Sequence, residues 1–147
     1  FDLNLRQDFY STKVISQSLI QSDIVKLNEE ELGVLSKLSP VSGSDEAIVD
    51  DLIKRFEINL VALTLGERGS VLMSREDKYV DAACEVEVVD TVGAGDAFSA
   101  VMVIGYLRNW SLSRMSRVAN GLGSFVCSKP GATPRVPRGF LEGFVGE

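Results

Sequence analysis

The stretch EVEVVDTVGAGDAFSAVMVIGYL, residues 85–107, contains three local patterns in direct succession. Its first five residues have valines at 86, 88 and 89, as expected for a β-strand. Gly93 and Gly95 then mark a tight turn, and Ala97 to Leu107 is apolar almost all round, which indicates a helix in the core. A strand, a glycine turn and a buried helix in this order predict one repeat of an α/β domain.

The rest of the chain shows the same alternation of strands and helices. The predicted strands are residues 1–5, 23–27, 60–65, 70–74, 78–83 and 85–89. The predicted helices are residues 16–21, 28–38, 45–56, 97–107, 113–127 and 139–145. This order predicts a single α/β domain with a mainly parallel sheet and one antiparallel excursion at residues 70–83.

The composition excludes several kinds of protein. The chain has 147 residues and no histidine, which rules out Ser-His-Asp and Cys-His nucleophiles and HExxH zinc sites. Two cysteines cannot form a four-cysteine zinc site, and their separation suits reduced thiols in a cytoplasmic protein. An enzyme of this composition would use a carboxylate as its base.

Charge and hydropathy exclude further partners. The net charge of −6 argues against a general nucleic-acid binder, and no apolar run reaches the ~18 residues of a membrane span. Residues 97–141 nevertheless contain no acid and carry six basic residues. This basic stretch favours either a nearby anionic ligand or simply a solvated helix face.

The glycine turn has two interpretations. Gly93 and Gly95 permit positive φ and close approach of a ligand, and the first N–H groups of the following helix would form an anion site. Asp96 would then stand beside the anion and accept a hydroxyl proton. Alternatively, the turn only begins a helix and Asp96 faces its dipole. A P-loop and a dinucleotide fingerprint both fail, because no Lys follows the glycines and Phe98 replaces the third Gly.

Two further clusters lie at predicted strand ends. TLGERG places Thr64, Gly66 and Gly69 where backbone could meet a nucleotide, although by itself it is an ordinary turn. NEEE places Asn28 and Glu31 one helical turn apart, where they could orient water on Mg²⁺ or form a capping box. Ligands of α/β folds bind at such strand ends, so the three clusters support one another.

Together these motifs resemble the ribokinase-like (PfkB) carbohydrate kinases. DTVGAGD at 90–96 is similar to the family's signature D-T-x-G-A-G-D, NEEE to its N-x-x-E motif, and TLGERG to its nucleotide loop. KPGATPRVP at 129–137 resembles its terminal G-A-x-P loop. The resemblance implies a three-layer α/β/α, Rossmann-like fold and ATP-dependent phosphorylation of a sugar hydroxyl.

The resemblance also implies a role for individual residues. Asp96 would be the base, and the backbone of Gly93, Ala94 and Gly95 the anion hole for the γ-phosphoryl group. Asn28 and Glu31 would act on Mg²⁺ and its waters. The resemblance assigns Thr64, Gly66, Gly69 and Thr91 to the nucleotide, and it places Asn120 at a helix position that lines the adenine pocket. Asp90 and Val92, together with carbonyls of the terminal loop, would bind a potassium ion. Arg135 stands in that loop where some relatives have a small polar residue.

The start of the chain narrows the subfamily. FDLNLR is similar to the FDxNxR of fructokinases and 2-keto-3-deoxygluconate kinases, which makes Asn4 and Arg6 candidate phosphate contacts. A strand that ends in a satisfied Asn is the alternative. We expect a fructokinase-like activity. The alternatives are a 2-keto-3-deoxygluconate kinase, a ribokinase, a nucleoside or hydroxymethylpyrimidine kinase, or a non-catalytic nucleotide-binding module.

Members of the family are about twice as long as this chain. The N-terminal half, with the sugar-binding strands and the lid, is absent from these residues, so we expect residues 1–147 to be the ATP-side half. The isolated chain is then expected to bind nucleotide weakly and to phosphorylate little or no sugar, and a homodimer is expected only in a full-length protein.

Overall fold

In the computed structural model, residues 1–6, 10–140 and 143 are described. The chain divides into two compact units, one of residues 1–65 and 71–78 and the other of residues 66–70 and 79–147. The helices are α1 (Thr12–Ile20), α2 (Glu29–Leu35), α3 (Asp45–Phe56), α4 (Ala94–Leu107) and α5 (Leu112–Cys127). The strands are β1 (Ile24–Asn28), β2 (Leu60–Thr64), β3 (Ser70–Met73) and β4 (Lys78–Asp81), and 3₁₀ turns span Ser36–Leu38 and Gly66–Arg68.

The four strands form one sheet in the order β1-β2-β3-β4. β1 and β2 are parallel, with Ile24 opposite Leu60 and Asn28 opposite Thr64. β3 and β4 follow each other through a turn in which the Ser74 N–H donates to the Asp77 carbonyl. The α/β class with an antiparallel excursion is therefore confirmed.

The first unit forms its core around β1 and β2. β2 is buried along four of its five residues, as a strand covered on both faces should be. α3 begins after the cap Ser44, whose hydroxyl accepts the Ala47 N–H, and it ends at Glu57 in the left-handed conformation. The apolar side chains of this unit that are at most 2% exposed are Leu19, Val25, Leu27, Leu32, Leu35, Val49, Leu52, Ile53, Ile58, Leu60, Val61, Ala62 and Leu72.

The second unit is built on the pairing of α4 with α5. Gly105 of α4 leaves no room for a Cβ, which would lie 2.4 Å from Cγ of Met115 on α5. The absence of a side chain there lets the two helices approach closely. The buried apolar residues of these helices are Phe98, Val101, Met102, Met115, Val118, Ala119 and Val126.

The strand predicted at residues 85–89 is wrong. The segment carries no strand pairing within the described residues, and its valines are exposed by 38 to 61%. The N–H groups of Val89 and Asp90 both donate to the carbonyl of Cys127, at the end of α5. The valine pattern is that of a strand, but a helix end occupies the backbone donors, so the glycine turn follows an extended loop.

Two other expectations need correction, and one falls outside the described residues. α4 is not wholly buried, since Val103, Ile104 and Leu107 are 48%, 43% and 74% exposed. Residues 1–5 form only an isolated parallel bridge from Asp2 to Lys26, because the chain turns away at Asn4, whose φ is +41°. The helix predicted over 139–145 lies largely outside the described residues.

Candidate active site

The glycine turn begins a helix without a side-chain cap. Gly93 is the N-cap residue of α4, with φ of +85°, and no described side chain accepts a hydrogen bond from the first turn. The Ala94 N–H makes a long contact of 3.4 Å to the Thr91 carbonyl. Within the described chain, the N–H groups of Gly93, Gly95 and Asp96 have no acceptor. Three such backbone donors at a helix N-terminus can hold an anion.

Asp96 lies in the first turn of α4, so it belongs to the same helix end as these donors. Its side chain is exposed and makes no hydrogen bond or ion pair with the described residues. An inward carboxylate held by structural partners would have ruled out a role as a base. The observed arrangement leaves the carboxylate available to a reacting hydroxyl.

The terminal loop packs directly on the glycine turn. A Cβ on Gly93 would lie 2.2 Å from the carbonyl oxygen of Ala132. The Asp90 carboxylate joins the two segments, since Oδ1 accepts the Val92 N–H at 3.0 Å and Oδ2 accepts the Gly131 N–H at 3.1 Å. Sequence reasoning missed this contact of Ala132 with the glycine turn, because nothing in the identity of an alanine reveals it.

Asn28 and Glu31 form the capping box that was the alternative to a metal site. Asn28 Oδ1 accepts the Glu31 N–H, and Glu31 Oε2 accepts the Asn28 N–H, both at 2.9 Å. Glu31 Oε1 accepts the Leu5 N–H at 3.1 Å, and Glu31 is only 6% exposed. With all three of these oxygens engaged by backbone donors, a metal role for the pair stays a prediction.

Thr64 is the register partner of Asn28 at the carboxyl ends of β2 and β1. Its hydroxyl donates to the Leu27 carbonyl at 3.3 Å. The structure therefore brings these two predicted residues together within the first unit. Asn4 and Arg6 are exposed, and their predicted phosphate contacts remain untested.

The loop of Gly66 and Gly69 connects to Asn120 through a buried serine. Gly69 has φ of +95°, and a Cβ there would lie 2.0 Å from the Asp81 carbonyl oxygen. The next residue, Ser70, accepts a hydrogen bond from Asn120 Nδ2 at 3.0 Å. Ser116 joins the same group, and sequence reasoning missed both serines. The sequence pattern that could have indicated them was weak, since it consists only of Ser116 standing one helical turn before Asn120 in α5.

Other features of the described residues lie apart from these segments. No group of three or more metal-ligating His, Cys, Asp or Glu residues is found in the described parts of the chain. No helix there is long and apolar enough to cross a membrane. An open concavity between the ends of α1 and α3, lined by residues 20–23 and 54–57, contains none of the predicted site residues.

Cys127 lies at the junction of α5 with the loop before the glycine turn. Burial raises the pKa of its thiol, and the nearby Asp90 carboxylate raises that pKa further. Cys84 is exposed, and both cysteines are free thiols.

Residues 1–138 match the pfkB family carbohydrate kinase profile. The fructokinase of Escherichia coli is 30% identical over 149 residues, which covers 93% of this chain and 47% of that protein. The structure of a Vibrio cholerae fructokinase with bound fructose, ADP and potassium is similar at 27% identity and a TM-score of 0.78, covering 99% of this chain and 49% of that one.

One further solved structure is less than 25% identical to this chain, so its similarity shows the fold alone. The structure of an Escherichia coli protein assigned as ribokinase II, in complex with ATP and Mg²⁺, has a TM-score of 0.80 at 23% identity, covering 99% of this chain and 47% of that one. The fold is therefore ribokinase-like. The chain spans 43 to 47% of the length of four curated relatives that it matches over 92 to 93% of its own residues.

Proposed function

Because the chain belongs to the pfkB family of carbohydrate kinases, we propose that it supplies the ATP-side machinery for phosphorylating a sugar hydroxyl. One observation carries the proposal, namely the N-terminus of α4. Among the described residues, the N–H groups of Gly93, Gly95 and Asp96 have no acceptor, and they share this helix end with an Asp96 carboxylate that has no partner there. An anion site beside a free base is what this transfer requires.

In the proposed reaction the sugar oxygen attacks the γ-phosphorus of ATP. A bond forms between that oxygen and phosphorus, the bond to the β-phosphate oxygen breaks, and ADP leaves. The Asp96 carboxylate takes the hydroxyl proton, and the backbone donors hold the charge on the phosphoryl oxygens. The Ala94 N–H, engaged with the Thr91 carbonyl, contributes less than its neighbours.

Mg²⁺ bound to the nucleotide would neutralise charge on the β- and γ-phosphates. The engaged oxygens of Asn28 and Glu31 fit an action through water rather than direct ligation. The Asp90 carboxylate retains further lone pairs beside the terminal loop, which is compatible with a potassium site there. Thr64, Gly66, Gly69, Thr91 and Asn120 are assigned to the nucleotide, and Asn4 and Arg6 to phosphate.

The acceptor is proposed to be fructose or a similar ketose. The names of the relatives favour it, since the Escherichia coli protein is a fructokinase and the Vibrio cholerae fructokinase holds fructose. The sugar-binding part is proposed to lie in sequence outside these 147 residues, in line with the share of its relatives that the chain spans. A cytoplasmic location and a homodimer of the full-length protein remain predictions.

Asp96→Asn tests the proposal in a complete kinase domain that contains this segment. The variant keeps the shape of the side chain and removes the base, so we expect kcat for fructose to fall about 10²–10⁴-fold, with KM for ATP little changed. Asp77→Asn, at an exposed turn, is the matched control and should retain full activity.

Three outcomes separate the alternatives. A decrease of less than about threefold in the Asp96→Asn rate would contradict the assignment of a base. Nucleotide binding with no turnover of any sugar or nucleoside in a substrate panel would identify a non-catalytic module. Robust fructose phosphorylation by the purified 147-residue chain would contradict the assignment of the sugar side to other sequence.

A further inference from the structure

Three buried polar side chains in the second unit, those of Ser70, Ser116 and Asn120, are hydrogen-bonded to one another. Ser70 and Ser116 are completely buried, and Asn120 is 7% exposed. The three side chains form a triangle, with Asn120 Nδ2 at 3.0 Å from Ser70 Oγ and 3.3 Å from Ser116 Oγ, and the two hydroxyl oxygens 3.1 Å apart.

Counting hydrogens fixes the direction of the Asn120 amide. Three contacts need three hydrogens. With the NH₂ group inward, the amide supplies two and one serine hydroxyl supplies the third. With the carbonyl inward, only the two hydroxyl hydrogens remain for three contacts. The triangle is therefore complete only when Oδ1 points away from both serines.

The outward Oδ1 is an acceptor without a donor. No described residue donates a hydrogen bond to it. The hydrogen bond to Ser70 also connects Asn120 to the Gly66 to Gly69 loop, because Ser70 is the residue that follows this loop. Under the proposed function, that loop binds the nucleotide and Asn120 lines the adenine pocket, as the family resemblance implies, so a fixed acceptor is presented to the base.

We propose that Ser70 and Ser116 are positioning residues that hold the Asn120 amide so that the site selects adenine over guanine nucleotides. The inference rests on the proposed function. Adenine carries an amino donor at its 6-position, which Oδ1 can accept, whereas guanine carries an oxygen acceptor there. Two facing acceptors lose the hydrogen bond and leave both groups unsatisfied.

The serines matter because a free amide would accommodate either base. When Ser116 is replaced by alanine, one contact remains between Asn120 and Ser70, and either end of the amide can make it. The amide can then rotate by 180° and present its NH₂ group to guanine. Replacement of Ser70 by alanine has the same consequence, because only the contact between Asn120 and Ser116 then remains.

The test is nucleotide binding to the ¹⁵N-labelled 147-residue chain, measured by NMR titration with ATP and GTP in the presence of Mg²⁺. NMR detects millimolar binding, so weak affinity does not prevent the measurement. We expect ATP to bind about tenfold more tightly than GTP, which corresponds to one hydrogen bond. The Asn120 side-chain NH₂ signals should shift with ATP.

Ser116→Ala and Ser70→Ala are each expected to bring the GTP-to-ATP ratio of dissociation constants to within about twofold of unity. Ser124→Ala, on the same helix one turn beyond Asn120, should keep the wild-type ratio. Thermal denaturation monitors folding, and the two serine variants act from different elements, so misfolding of one leaves the other as the test. A merely structural role would weaken ATP and GTP equally and leave the ratio unchanged.

The outcomes distinguish the inference from the function on which it rests. Equal ATP and GTP binding by the wild type, or a wild-type ratio in a folded Ser116→Ala or Ser70→Ala variant, overturns the inference and leaves the proposed function standing. Absence of binding by either nucleotide contradicts the nucleotide role of the chain and overturns both.

Discussion

At the scale of single residues, the glycine turn depends on Gly93 for two separate reasons. Its φ of +85° is strained for any other residue, and a Cβ would lie 2.2 Å from the Ala132 carbonyl oxygen. Gly66, in the same unit, has φ of +61°, but no atom of the described residues lies within 4 Å of its Cβ position. Alanine substitutions at these two glycines therefore distinguish the cost of backbone strain from the cost of a steric clash.

We predict that Gly93→Ala destabilises the chain more than Gly66→Ala. Strain in the left-handed region costs about 1–2 kcal/mol and applies to both variants. The clash with a backbone carbonyl is added only at position 93, because backbone atoms cannot rotate away as a side chain can. Urea denaturation of both variants measures the difference. Equal losses would mean that the terminal loop does not press on the turn.

The role of Gly93 was predictable from sequence, and its partner was not. Glycine at a helix start reports a requirement for positive φ, which is a local property that the motif contains. The contact with Ala132 depends on how a loop 39 positions later returns to the turn, and alanine itself carries no sign of it. For Asn28 and Glu31 both interpretations were visible, and the structure shows the capping box.

At the scale of elements, α4 packs against α5 at Gly105, a position where helix propensity alone would favour alanine. Replacement of Gly105 by Ala gains about 1 kcal/mol of intrinsic helix stability. The added Cβ would meet Met115 Cγ at 2.4 Å and Trp110 at 3.2 Å, and overpacking of this kind costs about 1–3 kcal/mol. The packing cost should exceed the propensity gain.

We therefore predict that Gly105→Ala lowers the free energy of unfolding, whereas Gly33→Ala raises it. Gly33 lies exposed inside α2, and none of the residues that the structure describes places an atom within 4 Å of its Cβ position. It offers the same substitution without the packing cost, so a gain of up to about 1 kcal/mol is expected there. Stabilisation by Gly105→Ala in urea denaturation would show that the helices can separate at little cost.

Helices α2 to α5 were predictable because their periodicity and caps are local, whereas α1 begins at Thr12, four residues before its predicted start. Ser44 and Glu57 bound α3 at the residues expected from sequence, since capping needs only neighbours in the chain. The strand predicted over 85–89 failed because a strand needs a partner, and the donors of Val89 and Asp90 instead meet the end of α5. Alternating valines indicate an extended backbone but not what pairs with it.

At the scale of the whole molecule, α4 exposes an apolar face that a lone domain would normally bury. Ala100, Val103, Ile104 and Leu107 recur at helical spacing and are all exposed. Sequence reasoning placed this helix in the core because it is apolar on every side. That pattern reports how much surface should be buried but not which part of a protein buries it.

We predict that this face makes the isolated chain self-associate, and that Leu107→Glu weakens the association. Contiguous exposed apolar surface favours contact between molecules. At 74% exposure, Leu107 contributes little to folding, so the variant should unfold within about 0.5 kcal/mol of the wild type. Met102 lies on a different, buried face of α4 and is only 1% exposed. Met102→Ala is therefore the contrasting variant, and its free energy of unfolding should fall by about 2–5 kcal/mol. Sedimentation velocity over a range of concentrations measures association, and an average mass that stays monomeric in the wild type, or is unchanged by Leu107→Glu, would contradict the prediction.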